Sequence, residues 1–376
     1  MRGINELIDD MIKAVNGISP SLGLGEEGEK AALLLALLKD RLKHPDGPLA
    51  VVMCGPTGAG KSHLFNFLVG EDISPSSYKR PSTVAPVLAA SPETSSAVNK
   101  ADFLPDYKKI ATKSPISFEI GDDRRLYTAE VKTPPWGWPP ELALIDAPDF
   151  DSVMEKNQSQ ATDMARRADA VILVAHQAKY ADQSAWDFLE EEKKRDRPLL
   201  VILNRVTAEA VEADFSARLE ALNIKAALLT WPEEGAAEQT PVNAARGELT
   251  RWLTGLSARS REITAENGRR ETARLGELMR GEIISRLTAR ENELTRRLGD
   301  VRRLTAEWTA NPQKHLSLNL PGEMKEALMK NLGETVRRSD LWAGPRRVIS
   351  RPFALVGEQL KKLFNDDPKA ASNLAD

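Results

Sequence analysis

The stretch that most constrains this chain is Gly55-Pro56-Thr57-Gly58-Ala59-Gly60-Lys61-Ser62. It lies between an apolar run, Leu49–Cys54, and a helical pattern, Ser62–Leu68. G-x-x-x-x-G-K-S after a strand and before a helix is the arrangement of a phosphate-binding loop. Its glycines let backbone N–H groups converge on one concavity and let an anion come close. The helix that follows directs its positive end into the same space. The expected phosphate contacts are Gly55, Thr57, Gly58, Ala59, Gly60, Lys61, Ser62 and His63. Lys61 is expected on the β- and γ-phosphates and the Ser62 hydroxyl on Mg2+.

A phosphate loop needs a sheet to carry it. Leu49–Cys54, Leu142–Asp146, Ala170–Ala175 and Leu199–Asn204 are short and almost continuously apolar, and Ala226–Thr230 is a weaker fifth run. Strands buried on both faces have this texture, which predicts a mostly parallel sheet between two layers of helix. The expected fold is therefore α/β, a P-loop NTPase domain over 47–256, with helical segments at 1–46 and 257–376. In the first of these, Ile4–Val15 has helical spacing, the Gly/Ser/Pro stretch after it is expected to break the helix, and Glu26–Lys43 resumes it. In the last, Leu287, Leu294, Val301 and Trp308 fall seven apart, the seam of a long helix packed on another.

Charge and cysteine content exclude several classes. There are 52 basic and 55 acidic residues, a net charge of −3, so no global field points to nucleic acid. Glu interleaves with Arg through Ser257–Asn311, which reads as a salt-bridged solvated face. One cysteine, Cys54, excludes a disulfide scaffold and suits a reducing compartment. The opening residues, MRGINELIDD, lack an apolar signal-peptide core, and runs such as Ala31–Leu38 are too short to span a bilayer. The expected location is cytoplasmic. In 341–362, Trp342, Phe353 and aliphatic residues interleave with Arg346, Arg347 and Arg351. Docking of that segment back onto the helical region is the favoured reading, and peripheral membrane contact is the competing one.

Four further places accompany the loop. Asp146 ends an apolar run and opens Asp146-Ala147-Pro148-Asp149-Phe150. Thr83 stands 21 residues after Ser62 in the Pro/Ser-rich stretch Lys79–Pro86. Asn204 opens Asn204-Arg205-Val206-Thr207, 58 residues after Asp146, and Val242–Gly247 follows the fifth apolar run. With these residues the chain resembles GTPases of the dynamin-like and Era/TrmE-like branches, over about residues 30–256.

That resemblance implies the following. Ser62, Thr83 and Asp146 would hold Mg2+, with Ser82 a neighbouring alternative to Thr83. Asn204 and Arg205 would face the base, and Val242–Gly247 would pack over it. The chain would bind GTP and GDP and hydrolyse GTP, with water attacking in line, slowly as a monomer and faster in a nucleotide-dependent homodimer. Lys61, Thr83 and Arg80 would be the catalytic residues. Three features bear on this. Asp149 replaces the glycine of D-x-x-G, where its carboxylate either repels the γ-phosphate or helps hold the metal. Phe150 stands where Ras-like enzymes have a water-orienting Gln; an apolar residue there agrees with the dynamin-like and Era-like branches and argues against a Ras-type mechanism. Thr207 replaces the guanine-reading Asp, and a hydroxyl cannot accept two hydrogen bonds as a carboxylate does. An ATPase or relaxed NTPase, and a scaffold gated by nucleotide without turnover, are the alternatives these features motivate. The long gap from Thr83 to Asp146 is expected to hold a hairpin, Pro115–Ile120 with Leu126–Lys132, and a rigid aromatic loop around Trp136 and Trp138.

Overall fold

The computed structural model describes residues 3–310 apart from 44–46, 76–84, 101–102, 113–115, 117, 119–123, 133–138, 140, 152–154, 177–182, 207–208 and 233–239. The chain divides into two compact units, one of Lys43–Arg270 and one of Met1–Leu42 with Glu271–Asp376. The expected segments at Trp136–Trp138 and 341–362 lie outside the described residues, as does most of Pro115–Ile120.

The first unit is built on an eight-stranded sheet in the order β3-β4-β2-β5-β1-β6-β7-β8. Its strands are β1 (Leu49–Cys54), β2 (Val87–Ala90), β3 (Lys108–Ala111), β4 (Arg125–Glu130), β5 (Leu142–Asp146), β6 (Ala170–His176), β7 (Leu199–Val206) and β8 (Ala227–Pro232). All the pairings run parallel except β2 with β5. The apolar texture of the strands has the expected cause, since β1, β2 and β5 are buried at every position. Alternate residues of β1 serve opposite faces. Leu49, Val51 and Met53 pack with Phe65 and Leu68 of α3 (Lys61–Val69) and with Leu249 and Leu253 of α8 (Thr240–Ala258). Ala50, Val52 and Cys54 pack with Met164 of α5 (Glu155–Arg167), Trp186 of α6 (Gln183–Arg195) and Phe215 of α7 (Glu209–Ala221).

Two local expectations change here. The strand within Leu126–Lys132 forms, as β4, but it lies between β2 and β3 and runs parallel to both instead of closing a hairpin. Val242–Gly247, which the resemblance implies as a loop over the base, lies inside α8. Its Arg246 guanidinium sits 4.7 Å over the Phe67 ring, and Phe67 in turn meets Trp231 edge-on at 5.2 Å.

The second unit draws on both ends of the chain. Helix α1 runs over Ile4–Leu22, past the point where a break was expected, with Pro20 inside its last turn. Ile18 explains the continuation, because it extends the buried stripe Ile8, Met11 and Val15 by another turn. The helix ends instead at Gly23, whose φ of 60° is the left-handed conformation of a C-cap, with Leu24 N–H bonding back to Ser19 O at 3.0 Å. Helix α2 (Glu26–Lys43) returns beside it. Helix α9 (Ser260–Leu278), a π-helical turn at Met279–Ile284 and α10 (Ser285–Ala310) follow one another. Leu275, Met279, Ile283 and Leu287 share one core with the α1 stripe and with Ala31, Leu35 and Leu38 of α2. Arg41 grips Glu271 with two parallel hydrogen bonds of 2.8 and 3.0 Å.

Candidate functional site

Strand β1 lies between β5 and β6, so the loop leaving its C-terminal end opens at the middle of the sheet, where an α/β fold forms a crevice. That loop is Gly55–Gly60, and α3 begins at Lys61. Two of its glycines are required by geometry. A Cβ on Gly55 would stand 2.4 Å from the Val174 carbonyl oxygen of β6. Gly60 has φ of 90°, and a Cβ there would meet the Asn204 side-chain nitrogen at 2.2 Å.

That contact exists because Asn204 reaches back to the loop, its side-chain amide donating to the Ala59 carbonyl at 2.8 Å. Strand β7 has a register irregularity against β8 between Asn204 and Val206, and Arg205 takes a left-handed φ of 57°. A non-glycine residue held there costs about 1 kcal/mol. The Asn204–Ala59 bond ties the end of β7 to the phosphate loop.

Lys61 is buried, with its ammonium 3.1 Å from Asp146 and 3.4 Å from Asp149. Burial opposes the Lys61 charge, but Asp146 and then Asp149 outweigh it and raise the pKa above the ordinary lysine value. The other Asp146 oxygen accepts the Ser74 hydroxyl at 2.6 Å. Ser74 is positioned by Asn66 of α3, whose side-chain amide accepts Ser74 N–H at 2.8 Å and donates to Ser74 O at 2.7 Å. On the other side of the loop, Asp151 accepts the Thr57 backbone N–H at 2.5 Å and its hydroxyl at 2.7 Å. Phe150, between the two aspartates, stacks on Phe188 of α6 with ring centroids 5.2 Å apart and planes 6° from parallel.

The structure thus brings Lys61, Asp146, Asp149 and Asn204 to one loop. Ser62 is buried and His63 exposed at the start of α3. Arg80, Thr83 and Thr207 lie outside the described residues. Ser74, Asn66 and Asp151 escaped the sequence reading. For Asp151, whose partner Thr57 lies 94 residues away, no local signal existed. For Ser74, 12 residues beyond Ser62, there was none. The donor chemistry suits a hard divalent cation, because Ser62 and Asp146 offer oxygen. No cluster of three or more His, Cys, Asp or Glu suited to a metal occurs among the described residues.

Residues 51–206 match the model of the Dynamin family. Over that stretch the chain is similar to the Dynamin family. The matched segment begins in β1 and ends with β7, so it contains the phosphate loop, Asp146 and Asn204. Among solved structures, the chain is similar to an oligomerised bacterial dynamin pair described as a mechanism for long-range sensing and tethering of membranes. One such structure shares 14% identity at a TM-score of 0.37, over 99% of this chain and 78% of the other. A second shares 15% at 0.40, over 98% and 59%, so this chain spans less than two thirds of that one. No curated relative matches the chain. No described helix is long and apolar enough to cross a membrane.

Proposed function

We propose that this dynamin-like domain binds GTP and hydrolyses it to GDP and phosphate, coupling the state of the nucleotide to self-association. The observation that carries the reading is the convergence on one loop of Lys61, Asp146 at the end of β5 and Asn204 at the end of β7. The backbone N–H groups of Thr57–Gly60 and the Lys61 ammonium bind and orient the phosphates. Asn204 braces the loop through Ala59 and, with Arg205, stands on the base side. Ser62, Asp146 and Thr83 are the residues that would hold Mg2+, which supplies charge neutralisation on the phosphate oxygens. Water is the proposed nucleophile at the γ-phosphate. Phe150, stacked on Phe188, has no group that orients water. Arg80 and a facing domain are therefore the proposed source of positive charge at the transition state. Contact of 341–362 with an anionic membrane surface remains part of this reading, on composition alone.

The test is binding of fluorescently labelled GTP and ATP to the purified chain, followed by phosphate release. GTP binding with GDP and phosphate as products supports the reading. Binding of neither nucleotide in the micromolar range overturns it, ATP binding alone favours the ATPase alternative, and GTP binding without turnover favours a gated scaffold.

A further inference from the structure

We propose that Asp149 and Asp151 form an anionic latch on the phosphate loop that makes the site favour a nucleoside diphosphate over a triphosphate. The proposal rests on the nucleotide reading above and deepens it.

Three donors suited to phosphate, on Lys61 and Thr57, are already taken by carboxylates of one short segment. Asp149 stands 3.4 Å from the Lys61 ammonium, the side-chain cation expected on the β- and γ-phosphates. Asp151 accepts both the backbone N–H and the hydroxyl of Thr57. Hydrogen bonds of a carboxylate to N–H donors are among the stronger ones in proteins. A bound phosphate must displace these carboxylates or share donors with them.

The segment is built to hold this position. Asp149 and Asp151 reach the loop from alternate positions, and Phe150 between them is anchored on Phe188. Asp146 at its start is held by Ser74. Lys61 and Asp149 are both buried, so their attraction is screened little by water or salt. A triphosphate brings one phosphoryl group more than a diphosphate to the same donors and the same carboxylates. The penalty therefore falls more heavily on the triphosphate, and its binding favours movement of the segment 149–151 away from the loop. Opening of the latch becomes the structural difference between the two nucleotide states.

The experiment compares labelled GDP with a labelled non-hydrolysable GTP analogue, by fluorescence anisotropy in the presence of Mg2+. It uses the full chain as wild type, Asp149→Asn, Asp151→Asn and the double variant. Wild type is expected to favour GDP by about tenfold, and the double variant to bring the ratio close to one, since each latch contact is charge-assisted. The single Asp151→Asn change, at a half-buried position, is expected to move the ratio part of the way and covers the case in which Asp149→Asn fails to fold. A wild-type ratio near one, or a wild-type preference that persists in Asp151→Asn and in the double variant, overturns the latch alone. Binding of neither nucleotide by wild type overturns the nucleotide reading, and the latch with it.

Discussion

At the residue scale, Lys61 has two roles, and one substitution removes both. Lys61→Ala removes the cation expected on the phosphates and should abolish GTP binding by calorimetry. It also leaves Asp146 and Asp149 buried without their counter-charge, and breaking a buried ion pair in this way costs about 3 kcal/mol in urea denaturation. In the proposed function, base selection turns on Thr207. A carboxylate reading two guanine N–H groups contributes about 2–4 kcal/mol of discrimination, and a hydroxyl supplies one neutral bond. The chain should therefore favour GTP over ATP modestly, and Thr207→Asp should sharpen the preference. Rejection of ATP by more than about a thousandfold in wild type would show that another group reads the base. Cys54, at the end of β1, offers a pH test. Burial, then the nearby Glu192, pushes its thiol up to about 12 from 9.0. The unfolded chain then releases this proton at lower pH than the folded one, so the Cys54 contribution to stability falls as pH rises from about 9, by about 1.4 kcal/mol per unit. Urea titrations of wild type should lose this increment relative to Cys54→Ala, and the native thiol should stay unlabelled by iodoacetamide at pH 8.

At the element scale, a polar network joins α5 to the strands inserted before it. Asp163 of α5 accepts the Tyr107 hydroxyl at 2.9 Å, the Arg167 guanidinium at 3.2 Å and Arg124 at 3.3 Å. Burial, then Asp163, raises the Tyr107 phenol pKa well above its ordinary value. Burial opposes the charge on Arg167, but Asp163 and Asp106 outweigh it and raise its pKa. Because one carboxylate serves three donors, its loss should cost more than the loss of any one of them. Asp163→Ala is expected to destabilise the chain by about 2–3 kcal/mol and Tyr107→Phe by about 1 kcal/mol in urea melts. Equal effects would mean that Asp163 acts through Tyr107 alone. The network matters to the site because α5 begins four residues after Asp151.

At the scale of the whole molecule, the proposed activity depends on association. Gly58 has no side chain to offer a cation, the Thr57 hydroxyl is held by Asp151, and Phe150 is stacked away on Phe188. The lone chain thus shows no obvious group for positioning water among the described residues. Turnover per subunit should rise with protein concentration, by up to about 10³-fold if an arginine is supplied in trans. Phosphate release measured alongside light scattering tests this, and a flat rate while dimers form counts against it. Arg80→Ala should remove the increase if Arg80 is that arginine.

What the sequence by itself determined was whatever is encoded within a few residues. The loop Gly55–Ser62 was legible because one strand, one turn and one helix start carry the whole motif. Four of the five apolar runs were legible because a strand buried on both faces must be apolar throughout; the weaker fifth became β8, a half-buried strand at the edge of the sheet. Asp146 and Asn204 were legible as the ends of two such runs. Tertiary structure alone decided what depends on meetings between distant segments. Parallel pairing of β4 with β2 and β3 is set by sheet order, which periodicity within a strand does not encode. The continuation of α1 past Val15 follows from a groove of other helices that buries Ile18, which outweighs the local signal of Gly17 and Pro20. The contact of Asp151 with Thr57 joins residues 94 apart, and the core shared by Ile8 and Ile283 joins the two ends of the chain. Such contacts form because chain folding brings complementary groups together, and no local pattern reports them in advance.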